Sequence, residues 1–460
     1  MAGIGFRLQK LLKEDTYTGF LKGYLYSAII SSGPMLSSII CIGLLGVFSI
    51  SVLNTEDYMV FRTTIVYVFA CSLIFTGIFQ MVSTRYLADR IYSDEPHALI
   101  PCCVGLLSIT FVCQTIIGSV MFYHVIPKWQ YVTLSTSLYV TISCLWNAMM
   151  FVSATRNYNL ITIGFLLGSV ISLFAGQWMG VKYGINGYLF GFTLGQFTIV
   201  VFLLSSFFRE YDFFKTIDFN FLLYFRKFPD LFIAGLITNI AIWIDKVLFW
   251  FSSYGETVKG FFHTFPAYDG AFFIAYLSIV PALSVFLVRV ETSFYQRYRS
   301  FYRNIMNKAS LTAIESSKRQ LVDDLKESVS VLLKVQGFIT ALFIIGVINV
   351  MKIAKLAWMQ VVILKIGVLS AFLLIIFQFL LIIMYYFEFR REAALLIVLF
   401  CILNLTATAI TINIGFQSFG YGFFCAAFIS LLCGYFVLNY KIKNLEYLTF
   451  TFQPVHKVSD

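Results

Sequence analysis

Asn239-Ile240-Ala241-Ile242-Trp243-Ile244-Asp245-Lys246-Val247-Leu248-Phe249-Trp250 lies inside an apolar run from Pro229 to Phe251. About 20 helical residues cross the hydrocarbon of a bilayer, so the run reads as a transmembrane helix with a carboxylate and an ammonium side by side in its last third. Left facing lipid at the membrane centre, each would cost about 2.5–3.5 kcal/mol. Asn239, Trp243, Lys246 and Trp250 recur at i, i+4, i+7 and i+11 and therefore share one face. Asp245 points about 100° away and needs a partner of its own. Three readings stay open from the residues alone. Lys246 snorkels to an interface beside an indole belt; Asp245 and Lys246 belong to a structural ion pair between helices; or the shared face lines a transport path.

The surroundings of this stretch set the class of protein. Of 460 residues, 59% are hydrophobic and 12% charged, where a soluble domain carries about 25% charged residues. This is an all-α, polytopic membrane protein. Its formal net charge of +10 does not point to nucleic acid, because the cations are distributed by loop. We read spans at 24–52, 63–84, 99–125, 131–153, 158–180, 185–208, 229–252, 268–290, 331–351, 361–387, 393–413 and 421–440. With both termini cytoplasmic, 25 of the 33 lysines and arginines fall on the inner side, seven on the outer side, and Lys246 stays within a span. Lys352, Lys355 and Lys365 are the basic stretch on the side read as outer. The positive-inside rule supports this topology.

The division into segments follows. Residues 1–22 are a cytoplasmic amphipathic leader, and the apolar run that follows is too long for a cleavable signal peptide and is expected to stay as an anchor. Residues 23–208 form a first six-helix lobe, 209–228 an inter-lobe linker, 229–440 a second six-helix lobe, and 441–460 a cytoplasmic tail. The second lobe carries a cytoplasmic insertion, 291–330. In it Phe294, Tyr298, Phe301, Tyr302 and Ile305 share a face away from Arg297, Arg299 and Arg303, the pattern of a helix lying on anionic lipid. Leu311, Ile314, Leu321 and Leu325 make a second stripe, with Glu315 and Arg319 spaced for an i,i+4 pair, suited either to a cytoplasmic partner or to the protein's own surface. In the first span, Gly33 and Pro34 are hinge candidates, since proline removes a helix hydrogen bond and glycine loosens the turn.

Chemistry of other kinds has little support. The nine cysteines lie in apolar segments without ligand spacing, and the four histidines are scattered, so no metal site, cofactor or catalytic residue is expected. No phosphate-binding loop or nucleophile-elbow motif is present. The polar groups within or near the membrane are few: Gln80, Asn147, Gln177, Gln196, Asn239, Asp245, Lys246, Asp269, Gln378 and Asn404. The residues alone therefore lead to a twelve-helix, transporter-like protein with one polar seam.

Several blocks resemble the PelG family of bacterial exopolysaccharide exporters. They are Met1-Ala2-Gly3-Ile4-Gly5-Phe6 with Leu11-Leu12, Ser31-Ser32-Gly33-Pro34, Thr84-Arg85-Tyr86-Leu87-Ala88-Asp89, Ile242-Trp243-Ile244-Asp245-Lys246, Tyr268-Asp269, Ala275-Tyr276-Leu277-Ser278-Ile279-Val280-Pro281-Ala282 and Val290-Glu291-Thr292-Ser293-Phe294. The resemblance implies a MATE-like flippase (MOP) fold with two six-helix lobes around a central cavity, in the bacterial inner membrane. It implies a cytosolic glycosyltransferase and membrane subunits of a Pel-type synthase complex as partners, and an amino-sugar-rich biofilm polysaccharide as substrate. In that setting Asn239, Trp243, Asp245, Lys246, Trp250 and Asp269 are the substrate-path candidates. The alternatives are a cation-coupled drug or lipid-linked oligosaccharide flippase of the same superfamily, or a non-transporting scaffold for the synthase.

Overall fold

A hydrocarbon environment offers backbone N–H and C=O groups no water, so each apolar run must bond its own backbone. The computed structural model describes residues 17–154, 158–211, 217–349 and 358–451, and within them twelve helices are long and apolar enough to cross a membrane. Spans 1 to 6 are α1 (Tyr17–Ile50), α2 (Thr55–Tyr92), α3 (Leu99–Tyr123), α4 (Trp129–Ala154), α5 (Tyr158–Tyr183) and α6 (Ile185–Glu210). Span 7 is α7 (Pro229–Trp250), and α8 (Pro266–Leu277) with α9 (Val280–Arg289) makes span 8. A π turn (Val290–Phe294) leads into α10 (Tyr295–Met306). Spans 9 to 12 are α11 (Leu311–Ile345), α12 (Trp358–Tyr386), α13 (Arg390–Ile414) and α14 (Tyr421–Lys443). The starts obey local chemistry. Asn54 caps α2 by accepting from Asp57 N at 2.7 Å, and Pro229 and Pro266 occupy first-turn positions where a missing N–H costs nothing.

The packing repeats with a shift of six spans. In the first half α1 packs on α5, α2 on α4, α3 on α4, α4 on α6, and α5 on α6; in the second, α7 packs on α13, α8 on α12, α11 on α12, α12 on α14, and α13 on α14. Spans 4 and 10 are the most buried of their halves. The halves meet where α2 packs on α7 and where α9 packs on α1. A twofold relation turns one of these contacts into the other, as a parallel repeat about an axis along the membrane normal requires.

The α2–α7 contact is antiparallel and runs the depth of the membrane. On the side assigned as outer, Glu56 pairs with Lys259 at 2.6 Å. The Tyr67 ring stacks on Trp250 at 4.8 Å. Midway, Asn239 Nδ2 donates to Leu73 O at 2.9 Å. There Gly77 and Gly235 let the two backbones touch: a Cβ on Gly77 would stand 2.6 Å from Gly235 O, and one on Gly235 would stand 2.3 Å from Gly77 O. On the side assigned as inner Arg85 pairs with Glu388 at 2.5 Å, and the Arg85 and Arg390 guanidinium groups lie over the Phe228 ring at 5.4 and 4.6 Å.

The structure corrects several expectations. Residues 1–16 of the leader and 452–460 of the tail lie outside the described residues, as do 212–216 of the linker and Lys352 and Lys355. The first helix already begins at Tyr17, before the expected leader end at residue 22. Lys365 lies within α12. Helix α1 continues without interruption through Pro34, and Gly33 serves close packing, since a Cβ there would come 3.0 Å from Thr162 Cγ2 on α5. Span 8, read as one helix, is broken between α8 and α9 because Pro281 cannot donate to Leu277 O. The stripe of 311–330 is not a separate element but the first half of the 35-residue α11, and no Glu315–Arg319 ion pair forms among the described residues. The apolar face of α10 does not meet lipid, because Phe294, Phe301 and Ile305 are buried against the protein itself. A short antiparallel hairpin, β1 (Glu256–Lys259) and β2 (Phe262–Thr264), follows α7. It reaches into the first half: Phe262 is buried between Tyr67 and Phe122, and Tyr67 OH donates to His263 O at 2.9 Å and accepts from His263 N at 3.1 Å.

Gly77→Leu drives a side chain into the α7 backbone, an overpacking penalty of about 1–3 kcal/mol or more. We expect a lower unfolding temperature in detergent for Gly77→Leu, and an unchanged one for Gly43→Leu, whose Cβ would meet nothing within 4 Å.

Candidate functional site

The polar face of α7 divides into two parts. Lys246 turns its ammonium along the helix toward α8, where it donates to both oxygens of the neighbouring Asp245 (3.0 and 2.8 Å), to Ile242 O one turn back (3.1 Å) and to Tyr276 OH (3.2 Å). Tyr268 OH donates to Asp245 Oδ2 at 2.8 Å. The rings of Phe272, Tyr276 and Phe423 stand 4.7, 5.2 and 5.1 Å from the ammonium. Asp245 is fully buried and Lys246 is 6% exposed. The pair is thus neutral as a unit, hydrogen-bonded on both partners, and walled by aromatic faces that attract a cation. Sequence spacing had placed the two side chains on different faces. The flexible lysine stem closes that gap, so Asp245 finds its counter-charge in Lys246 itself and a second, neutral donor in Tyr268.

The aromatic wall was legible but unread. Tyr268, Phe272 and Tyr276 recur every four residues and so share one face of α8. That face carries two hydroxyls at the spacing needed to reach a carboxylate and an ammonium on the facing helix.

The other candidates group differently. Asp269 accepts from Trp250 Nε1 (3.1 and 2.9 Å), Thr264 Oγ1 (3.3 Å) and Phe265 N (3.4 Å). It thereby ties the end of α7 to the start of α8 through donors that are all neutral. Trp243 and Trp250 have ring centroids 6.1 Å apart. Asn239 and Trp250 face α2, through Leu73 O and the Tyr67 ring. So the amide and an indole lie on the surface where the halves meet, while the charged pair is folded into the second half. Gly33 and Pro34 lie on α1, with Gly33 against α5. Among the described residues no group of three His, Cys, Asp or Glu is placed to hold a metal, and the nine cysteines are free.

Breaking a buried pair by removing one partner costs about 3–5 kcal/mol, whereas removing both is often near neutral. We expect Lys246→Met to lower the unfolding temperature sharply, and Asp245→Asn combined with Lys246→Met to recover most of the loss, as read by thermal unfolding in detergent.

The fold has known counterparts. An outward-facing multidrug resistance MATE family transporter of the MOP superfamily superposes with a TM-score of 0.67 at 13% identity, covering 97% of this chain and 99% of that one. An inward-facing conformation of a MATE family transporter gives 0.58 at 13% identity, covering 91% and 99%. A MOP superfamily transporter from Pyrococcus furiosus Vc1 (DSM3638) gives 0.63 at 12% identity, covering 96% and 99%. No curated protein matches the chain in sequence. At these identities the likeness establishes a shared twelve-span fold, and the proteins that share it are transporters, not enzymes. The family that matches residues 1–450 is described as "PelG: Putative exopolysaccharide Exporter (EPS-E)", and with nearly the whole chain inside that match the protein belongs to this family of membrane exopolysaccharide exporters.

Proposed function

We propose that this protein moves a Pel-like, amino-sugar-rich polysaccharide from a cytosolic glycosyltransferase across the bacterial inner membrane, as one part of a synthase complex that builds biofilm matrix. Residues 23–208 and 229–440 act as the two lobes, and the path opens along the surface between α2 and α7. The observation that carries this reading is that Asn239 and Trp250, from the polar face of α7, lie on the surface where the two halves meet. Parting the halves exposes Asn239 and the Trp250 ring to whatever occupies the gap, with Trp243 alongside. Indole faces cover the apolar faces of sugar rings, and the freed Asn239 amide hydrogen-bonds hydroxyl and acetamido groups. Asp245 and Lys246 keep the α7–α8 unit rigid while it moves, and Asp269 holds Trp250 in orientation. Helix α1, unbroken through Gly33 and Pro34 in the structure, bends there, where proline leaves one helix hydrogen bond unmade.

The test uses single cysteines at Asn239 and Trp243 in a background lacking the native nine, labelled with a membrane-impermeant thiol reagent. Labelling that rises several-fold when polymer synthesis is switched on is the expected result, with Ala234→Cys, on the buried side, unlabelled throughout. Trp243→Ala should reduce exported polymer by about ten-fold, roughly 1.4 kcal/mol, with unchanged protein level and unchanged drug resistance. Silence of both cysteines in both states, together with normal export by Trp243→Ala, overturns the path assignment.

A further inference from the structure

The six-span repeat carries one inner-side element without a counterpart. Spans 2 and 3 are joined by Ser93–Ala98, whereas spans 8 and 9 are joined through α10 and the first half of α11. With 35 residues, α11 is about 52 Å long against about 30 Å of hydrocarbon. Seven of its eight charged residues precede Ser328, and none follows Lys334. The turn Asn307–Ser310 therefore stands about 20 Å beyond the bilayer core, on the side assigned as cytoplasmic.

This helical hairpin is braced. Arg289 pairs with Glu327 at 3.0 Å, Arg297 donates to Gln320 Oε1 at 2.8 Å, and Lys318 pairs with Glu446 at 2.7 Å. Phe301 and Ile305 of α10 are buried along with Ile314, Leu321 and Leu325 of α11. At the tip the chemistry changes. Met306 and Leu311, on either side of the turn, are 75% and 63% exposed. Arg303 and Lys308 are exposed within three residues of them, Arg299 and Arg319 are exposed about 10 and 12 Å further along the two helices, and none of the four makes an ion pair among the described residues. Of the acids on α11, Asp323 is engaged with Lys326 at 3.4 Å.

We propose that this tip is a docking surface for a cytosolic protein that presents an apolar pocket rimmed by carboxylates. Two unpaired cations beside two exposed apolar side chains, with two more on the helices behind them, are the complement of such a surface, with the apolar pair as anchor and the cations steering approach. Lipid headgroups lie too far from the tip to be its ligand. A second copy of the same tip is repelled by like charge. Resting on the function proposed above, the partner is the polymer-forming glycosyltransferase, which the hairpin holds at the inner mouth.

The full-length protein in nanodiscs, titrated with the purified glycosyltransferase of the same export system, tests this. Met306→Asp with Leu311→Asp, and separately Arg299→Glu with Arg303→Glu, should each weaken binding by about ten-fold or more. Binding by the parent should fall as salt rises, and Lys326→Glu should bind as the parent does. Parent-like affinity of both double variants overturns the proposal, as does absence of binding by the parent. So does a loss confined to binding of phosphatidylglycerol vesicles, which would make the tip a lipid contact. Trp243→Ala is expected to bind normally while exporting about ten-fold less polymer, so the docking surface and the path can fail independently.

Discussion

Where α2 crosses α7, no side chain separates them: the Gly77 and Gly235 carbonyls each stand where the other residue's Cβ would be. Lipid tails are as apolar as any aliphatic side chain, so helices in a membrane associate through close packing and hydrogen bonds rather than through expulsion of water. The glycine contact sets the spacing on which the rest of the seam depends. At that distance the Asn239 amide reaches the backbone of the opposite helix, the Tyr67 ring lies flat on Trp250, and the hairpin after α7 can be held by Tyr67. Because the same spacing runs on toward the inner side, Arg85 meets Glu388 and two guanidinium groups share the Phe228 ring.

The second constraint is electrostatic. A buried ammonium and carboxylate are tolerable only when attraction and hydrogen bonds replace the lost hydration. Here the replacement is local: Asp245 and Lys246 are sequence neighbours, and the outside help comes from Tyr268 and Tyr276 on α8 and a phenylalanine on α14. The charge is settled inside the second half. Between the ion pairs at its two ends, the surface shared with the first half carries neutral groups that hydrogen-bond or stack, so its membrane-embedded middle can part without exposing an unpaired ion to hydrocarbon.

Much of this was legible in the sequence. Twelve apolar runs and alternating cations gave the span count, because hydrocarbon thickness and backbone satisfaction leave few choices. The face of Asn239, Trp243 and Trp250 was legible because helical spacing is rigid. The direction of Lys246 was not, since a four-carbon stem can leave the face its Cα occupies. Nor was the burial of α10's apolar face: amphipathic periodicity reports that a face must be covered, not whether lipid or protein covers it. Pro281 was in plain view, yet an apolar run long enough to span hid the break it makes. The hairpin at 256–264 went unread because two short strands flanking Gly260 lack the length to register as period-two alternation.

That hairpin also bears on how the protein comes to exist. It belongs to the second half in sequence but fills a slot in the first, where Phe262 lies between Tyr67 and Phe122 and a Cβ on Gly260 would come 2.2 Å from His124 O. Until the ribosome has delivered residues beyond α7, that slot stands open and Tyr67 lacks the backbone groups it bonds. The first six helices therefore reach their final packing only after the seventh has crossed the membrane. Two halves that repeat one packing pattern are thus not interchangeable, since a segment of the second completes the core of the first.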